Sequence, residues 1–123
     1  MRRIRFSPDM IVAIRRGEKT MTFRRSPKLC GVYIVEDGSY PRHKHVDTGL
    51  RIFIFHTFWV ENVGVYASQN YKEEGFANSL DVIKKLEVLY GGFVPRVGFG
   101  HQFLLIQSRS ELEDLMRKTG GKP

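Results

Sequence analysis

One cysteine, Cys30, stands among 123 residues, so an internal disulfide is excluded and a reducing compartment is weakly favoured. No CxxC pair and no HExxH motif is present, which removes the usual zinc signatures, and no cofactor is expected. Long apolar runs are missing too: the densest, IFIFHTFWV at 52–60, is far shorter than a membrane span. The opening MRRIRF is followed by no apolar stretch of the kind a secretory signal needs. A cytoplasmic protein that engages no membrane is therefore the expectation. Repeats and low-complexity tracts are absent, and the length suits one domain over 1–123 with one core.

Acidic residues are also in short supply, 13 against 20 lysines and arginines, for a net charge of +7. The excess is local. Residues 1–28 hold nine basic side chains against Asp9 and Glu18, whereas the remainder balances. A basic end on a neutral body predicts one positive surface, the footprint of a phosphate-backbone binder, although a merely solvated face has the same composition.

The pattern of elements is α+β. Ser7, Pro8 and Asp9 open a helix whose apolar face is Met10, Ile11, Ala13 and Ile14, and Gly17 is placed to end it in a left-handed conformation. Period-two alternation follows, putting Thr20, Thr22 and Arg24 on one side of a strand and Met21 and Phe23 on the other. LCGVYIV at 29–35 predicts a strand, and the polar stretch 36–49, with His43, Lys44 and His45, a flexible connection. LRIFIFHTFWV predicts the longest strand, with Ile52, Ile54, Phe58 and Val60 on one face, His56 beside them, and Phe53, Phe55 and Trp59 on the other. Asn62 and Gly64 then predict a bend or bulge. A helix over 77–92 is capped by Asn78 or Ser79, with Leu80, Ile83, Leu86 and Leu89 or Tyr90 inward, its two lysines outward and Gly91 or Gly92 ending it. A strand over 99–107 and a last helix near 110–119, with Ser110 and Glu113 as a capping box and Gly120 as its stop, complete the chain. Short strands with two or three helices, not in regular alternation, favour a small mixed β-barrel.

Two stretches carry chemistry in their residues and spacing. The first is GEKTMTFRR at 17–25, where a helix gives way to a strand; the second is EGF at 74–76, just before the helix over 77–92. Together, and in this order, they resemble the ASCH domains of the PUA-like superfold, whose GxKxxxxR-type signature is met by Gly17, Lys19 and Arg24. The resemblance runs from about residue 4 to about residue 107, leaving the last helix as an addition. It implies a β-barrel with a cleft lined by the Lys19 corner and the Glu74 loop. RNA or a nucleotide or nucleoside would be its partner, met by Gly17, Lys19, Thr20, Thr22, Arg24, Arg25 and Glu74. It also implies an alternative. Lys19, Thr22 and Glu74 stand where a small branch of the family places the lysine, threonine and glutamate that hydrolyse N4-acetylcytidine.

The chemistry of that alternative follows from elementary considerations. A lysine deprived of water loses stabilisation of its charge and becomes a base near neutral pH. A threonine hydroxyl then attacks or orients water, and a glutamate carries a proton to the departing nitrogen. Each residue also has an ordinary role: a surface or phosphate-contacting lysine, a strand threonine, a carboxylate near a helix start. An interaction module without a nucleic-acid ligand is a third class. His43 and His45 share one face of an extended segment but lack a third metal ligand. His56 and His101 are expected to be packed on strands, and Cys30 in the core. Tyr40, Tyr66, Tyr71 and Trp59 suit stacking on bases, although a small barrel usually buries such rings, Trp59 above all.

Overall fold

In the computed structural model residues 1–118 are described, and the expected Gly120 stop lies outside them. The order is β1 (Arg2–Phe6), α1 (Pro8–Arg15), β2 (Met21–Arg24), β3 (Gly31–Asp37), β4 (Asp47–Val60), α2 (Val63–Asn70), α3 (Ser79–Leu89), β5 (Gly98–Leu105) and α4 (Arg109–Lys118). The five strands form one mixed sheet in the order β1-β3-β4-β5-β2, in which only β1 and β3 are parallel. Among the described residues β1 and β2 do not pair with each other, so the sheet is a half-barrel with two free edges. Among the described residues α1, α2 and α3 pack on it, and α4 follows β5 with no buried residue. Among the described residues no helix is long and apolar enough to cross a membrane.

Two elements depart from the sequence-based expectation. Residues 2–6, assigned to no element there, form β1, with Ile4 and Phe6 buried between outward arginines. The bend expected at Asn62 and Gly64 is instead the start of α2, where the Asn62 side chain accepts from the Val65 amide. The connection is also shorter than expected, because β3 runs on to Asp37 and β4 begins at Asp47.

Directly paired residues share a sheet face, so register sorts the interior. One face carries Phe6, Tyr33, Val35, Ile52, Ile54 and Phe103, packed under Met10, Ile11 and Ile14 of α1. The opposite face carries Met21, Phe23 and Val60, packed under Val63, Tyr66 and Ala67 of α2 and Val82 and Leu86 of α3. The single alternation expected along β4 is broken by a register shift between Ile54 and His56. One extra residue reverses every later side chain, so Ile52 and Ile54 enter the first core while Phe58 and Val60 join the second.

Beyond the shift His56 is exposed, its ring stacked on Phe58 at 5.4 Å, and Trp59 is 56% exposed rather than buried, edge-on to Phe99 at 5.3 Å. Cys30 is exposed too, just before β3 begins, instead of in the core. In α3 the buried positions are Val82 and Leu86, while Leu80 and Leu89 face solvent. Of its two lysines, Lys84 is exposed and Lys85 bends to Asp9 at 2.9 Å. Asn78 is its cap. The helix-start bonds of α4 are made by Ser108 and Glu111, not by Ser110 and Glu113, because the helix begins at Arg109.

Gly100 marks where the second core is tightest, since a Cβ there would lie 2.2 Å from the Phe58 ring. Gly100→Ala forces that ring off its packing and is expected to cost about 1–3 kcal/mol, read from the urea midpoint. An unchanged midpoint contradicts this packing.

Candidate functional site

The site begins where α1 ends. Gly17, at φ +74°, turns the chain, and the amides of Glu18 and Lys19 both donate to the Ala13 carbonyl. The amides of Thr20 and Met21 then donate to the Glu73 carbonyl at 2.7 and 3.0 Å, and the Thr20 carbonyl accepts from Phe103. The corner is thus stitched to the turn between α2 and α3 and to β5. Gly75, at φ +92°, permits the approach, since a Cβ there would lie 3.2 Å from the Lys19 Cβ.

This stitching buries Lys19 and Glu74 together, at 3% and 5% exposure. The Lys19 Nζ donates to Glu74 Oε1 at 2.7 Å and to the Glu74 backbone carbonyl at 3.0 Å. The other carboxylate oxygen accepts from the Tyr66 hydroxyl at 2.5 Å. Burial pushes the Lys19 ammonium below the usual lysine range, while the Glu74 charge pulls the other way. Burial and the neighbouring Glu74 hold the Tyr66 phenol well above its ordinary value, so it acts as a donor.

Thr22 and Arg24 follow on the same face of β2. The buried Thr22 hydroxyl accepts from Arg24 Nε at 3.3 Å, leaving its own hydrogen free to donate. Arg24 lies 4.9 Å from the centre of the Phe6 ring and donates through Nη2 to the Arg5 carbonyl at 2.7 Å. It therefore spans the opening between the free edges of β2 and β1. Behind it His101, fully buried, faces the Thr22 carbonyl through Nδ1 and accepts the Lys28 amide at Nε2, 2.9 Å away. An amide only donates, so Nε2 carries no proton and Nδ1 does. Burial lowers the His101 pKa below 6.5, in keeping with that neutral form.

These groups open into one cavity of about 540 Å³. Lys19, Thr22, Arg24 and Glu74 all line it, and so do Arg3, Arg5, Lys28, Arg42 and Lys85. Gly17, Thr20 and Arg25 do not. Gly17 and Thr20 act through the backbone, and the Arg25 side chain lies over Phe93 at 5.4 Å, on the exposed surface. Tyr66 is buried, so it supports Glu74 and has no free face for a base. His45 reaches Glu36 at 3.1 Å. Among the described residues no three metal-ligating side chains gather. Sequence reasoning missed the contributions of Arg3, Arg5, Arg42 and Tyr66. The alternation of arginines with Ile4 and Phe6 was a signal for the first two; nothing in the sequence announced the Tyr66 bond.

The half-barrel with its flanking helices has an ASCH-like fold, as comparison with solved structures shows. The chain is similar to a mutant of ZmASCH from Zymomonas mobilis, with 16% identity and a TM-score of 0.54 over 90% of this chain and 77% of that one. It is also similar to EF3133 from Enterococcus faecalis V583, a DUF984 protein, with 14% identity and a TM-score of 0.53 over 83% and 69%. No family model and no curated protein sequence matches the chain. The likeness is one of fold.

Two consequences are measurable. Lys19→Met leaves Glu74 buried without its cation and is expected to lower stability by about 3–5 kcal/mol, part of which the added change Glu74→Gln restores. A loss under about 1 kcal/mol contradicts a buried pair. His101 binds a proton less readily folded than unfolded, so its contribution is complete above pH 6.5 and declines as pH falls below that value. His101→Gln is expected to flatten this slope of the stability profile; an unchanged slope assigns it elsewhere.

Proposed function

We propose that the chain binds RNA or a nucleotide-like ligand in this cleft, acting in the cytoplasm. The observation that carries the reading is the composition of the cavity wall. Six basic side chains, Arg3, Arg5, Arg24, Lys28, Arg42 and Lys85, surround a floor made by the Lys19–Glu74 pair and the Thr22 hydroxyl. Cations attract phosphate, and a floor of fixed donors and acceptors recognises the polar edge of a base. A volume of about 540 Å³ suits one nucleotide unit. Lys19 takes a different part from a phosphate contact, because its ammonium is already committed to Glu74.

A second reading, hydrolysis of an acylated cytidine such as N4-acetylcytidine, is favoured by one specific observation: Lys19, Thr22 and Glu74 line the same cavity. In that reading Lys19, once neutral, takes a proton from water or from the Thr22 hydroxyl as the oxygen attacks the acyl carbon. The carbon–nitrogen bond then breaks and Glu74 carries the proton to the leaving amine; acetate departs directly where water attacked, or, where Thr22 attacked, after a water molecule hydrolyses the acetyl ester and restores the hydroxyl.

The logarithm of the affinity for single-stranded RNA is expected to fall linearly with the logarithm of salt concentration, because bound phosphates release counterions. An affinity that is flat from low to physiological salt sinks the binding reading. Incubation with N4-acetylcytidine decides the other: acetate released by the wild type and lost in Thr22→Val makes the cleft catalytic, whereas no release leaves it a binding site.

A further inference from the structure

The PRHKH segment, which the sequence offers only as a flexible connection, is a wall of the cleft. The loop at 38–46 is tied down at both ends. Arg5 Nη2 donates to the carbonyls of Gly38 and Tyr40, and His45 contacts the buried carboxylate of Glu36, which also pairs with Arg3 at 3.1 Å. These ties gather Arg3, Arg5 and Arg42 at the free edge of β1, within the same cavity as Lys19, Thr22 and Glu74.

Three features of this arm point one way. Glu36 is the acid of this arm that lines the cavity, and Arg3 and His45 already occupy it; Asp37, which feels the Arg5 charge, lies outside the cavity and is bonded by Ser39. Arg42 makes no hydrogen bond or ion pair among the described residues, yet it lines the cavity. Arg5 keeps one buried nitrogen, Nη1, without a hydrogen-bond partner. A buried donor left unpaired costs free energy, and a charged donor costs more, so an acceptor that draws the Arg5 guanidinium toward the cavity it lines would bind with gain. Guanidinium groups match the oxygens of phosphate in charge and in planar geometry.

We propose that this arm is a phosphate subsite, and hence that the ligand is a phosphorylated ribonucleotide rather than an uncharged nucleoside. The proposal rests on the nucleotide-cleft reading and deepens it: the Lys19–Thr22–Glu74 floor meets the base, and Arg42 with Arg5 meets a phosphate of the same nucleotide. Arg3 is held back by Glu36 and shapes the wall.

The test is calorimetric titration of the whole chain, at low salt, with the four ribonucleosides, their 5′-monophosphates and a single-stranded tetraribonucleotide. At least one monophosphate is expected to bind tenfold or more tighter than its nucleoside. Arg42→Ala is expected to bring that ratio below threefold; Lys84→Ala, on the outer side of α3, keeps the ratio. Since Arg42 is exposed and unpaired, its removal spares the fold. A tetranucleotide that outbinds every monophosphate assigns the phosphate to RNA, and the reverse order assigns it to a free nucleotide. Equal affinity for nucleosides and monophosphates, or a full preference surviving in Arg42→Ala, overturns the subsite and leaves the cleft reading standing. If no probe binds at all, both fall.

Discussion

Burial of one lysine ammonium against one carboxylate is the constraint on which the rest depends. A charged pair removed from water is stable only when its remaining hydrogen-bonding capacity is filled, and here the filling comes from three separate places. The Glu74 backbone carbonyl and Oε1 take the Lys19 Nζ, the Tyr66 hydroxyl takes Oε2, and the amides of Thr20 and Met21 bind Glu73 next door. The end of α1, the start of β2, the helix α2 and the turn before α3 are thereby fixed to a single point. The glycine at position 75 belongs to this arrangement, since any side chain there would press on Lys19.

The sheet keeps the pair beside open space. Because β1 and β2 stay apart, the first core has a mouth, and Arg24 lies across it from β2 to the Arg5 carbonyl. The β4 register shift supplies the second half of the design by sending Phe58 and Val60 away from the mouth, under α2 and α3. Apolar burial is thus divided between the two faces of one sheet, and the face that carries Thr22, Arg24 and His101 is free to be polar. His101, neutral and bonded on both nitrogens, joins the 25–30 segment to that face.

How legible was this in the sequence? The corner at 17–24 was legible except at Thr20, because a helix-ending glycine and period-two alternation are local signals, and the observed faces of β2 from Met21 to Arg24 follow that alternation. The α+β class and the ASCH-like fold were legible too. The division of β4 was not, since a bulge changes register without changing composition, and it misplaced Phe58, Trp59 and His56 together. Helix α2 was hidden because VGVYASQN reads equally well as a bent strand, and only its packing against α3 decides. At the site, sequence brought Lys19, Thr22, Arg24 and Glu74 forward, and the structure brings them together. Thr20 and Arg25 share the motif but not the cavity, because Thr20 is outside the strand and Arg25 follows its last residue. The loop arginine contributes through tertiary ties that no spacing encodes.

On the proposed reading two groups of side chains suit nucleic acid in different ways: the cationic cleft, and the exposed Trp59, edge-on to the half-buried Phe99 that pairs with Arg24 across β5 and β2. Only the first joins charge to fixed polar groups. Chemical-shift mapping on isotope-labelled protein titrated with a short single-stranded RNA separates them most directly. The largest shifts are predicted at the Lys19 and Glu74 side chains, Thr22 and Arg42; shifts confined to Trp59 and Phe99, with the Lys19–Glu74 signals unmoved, would contradict a functional cleft.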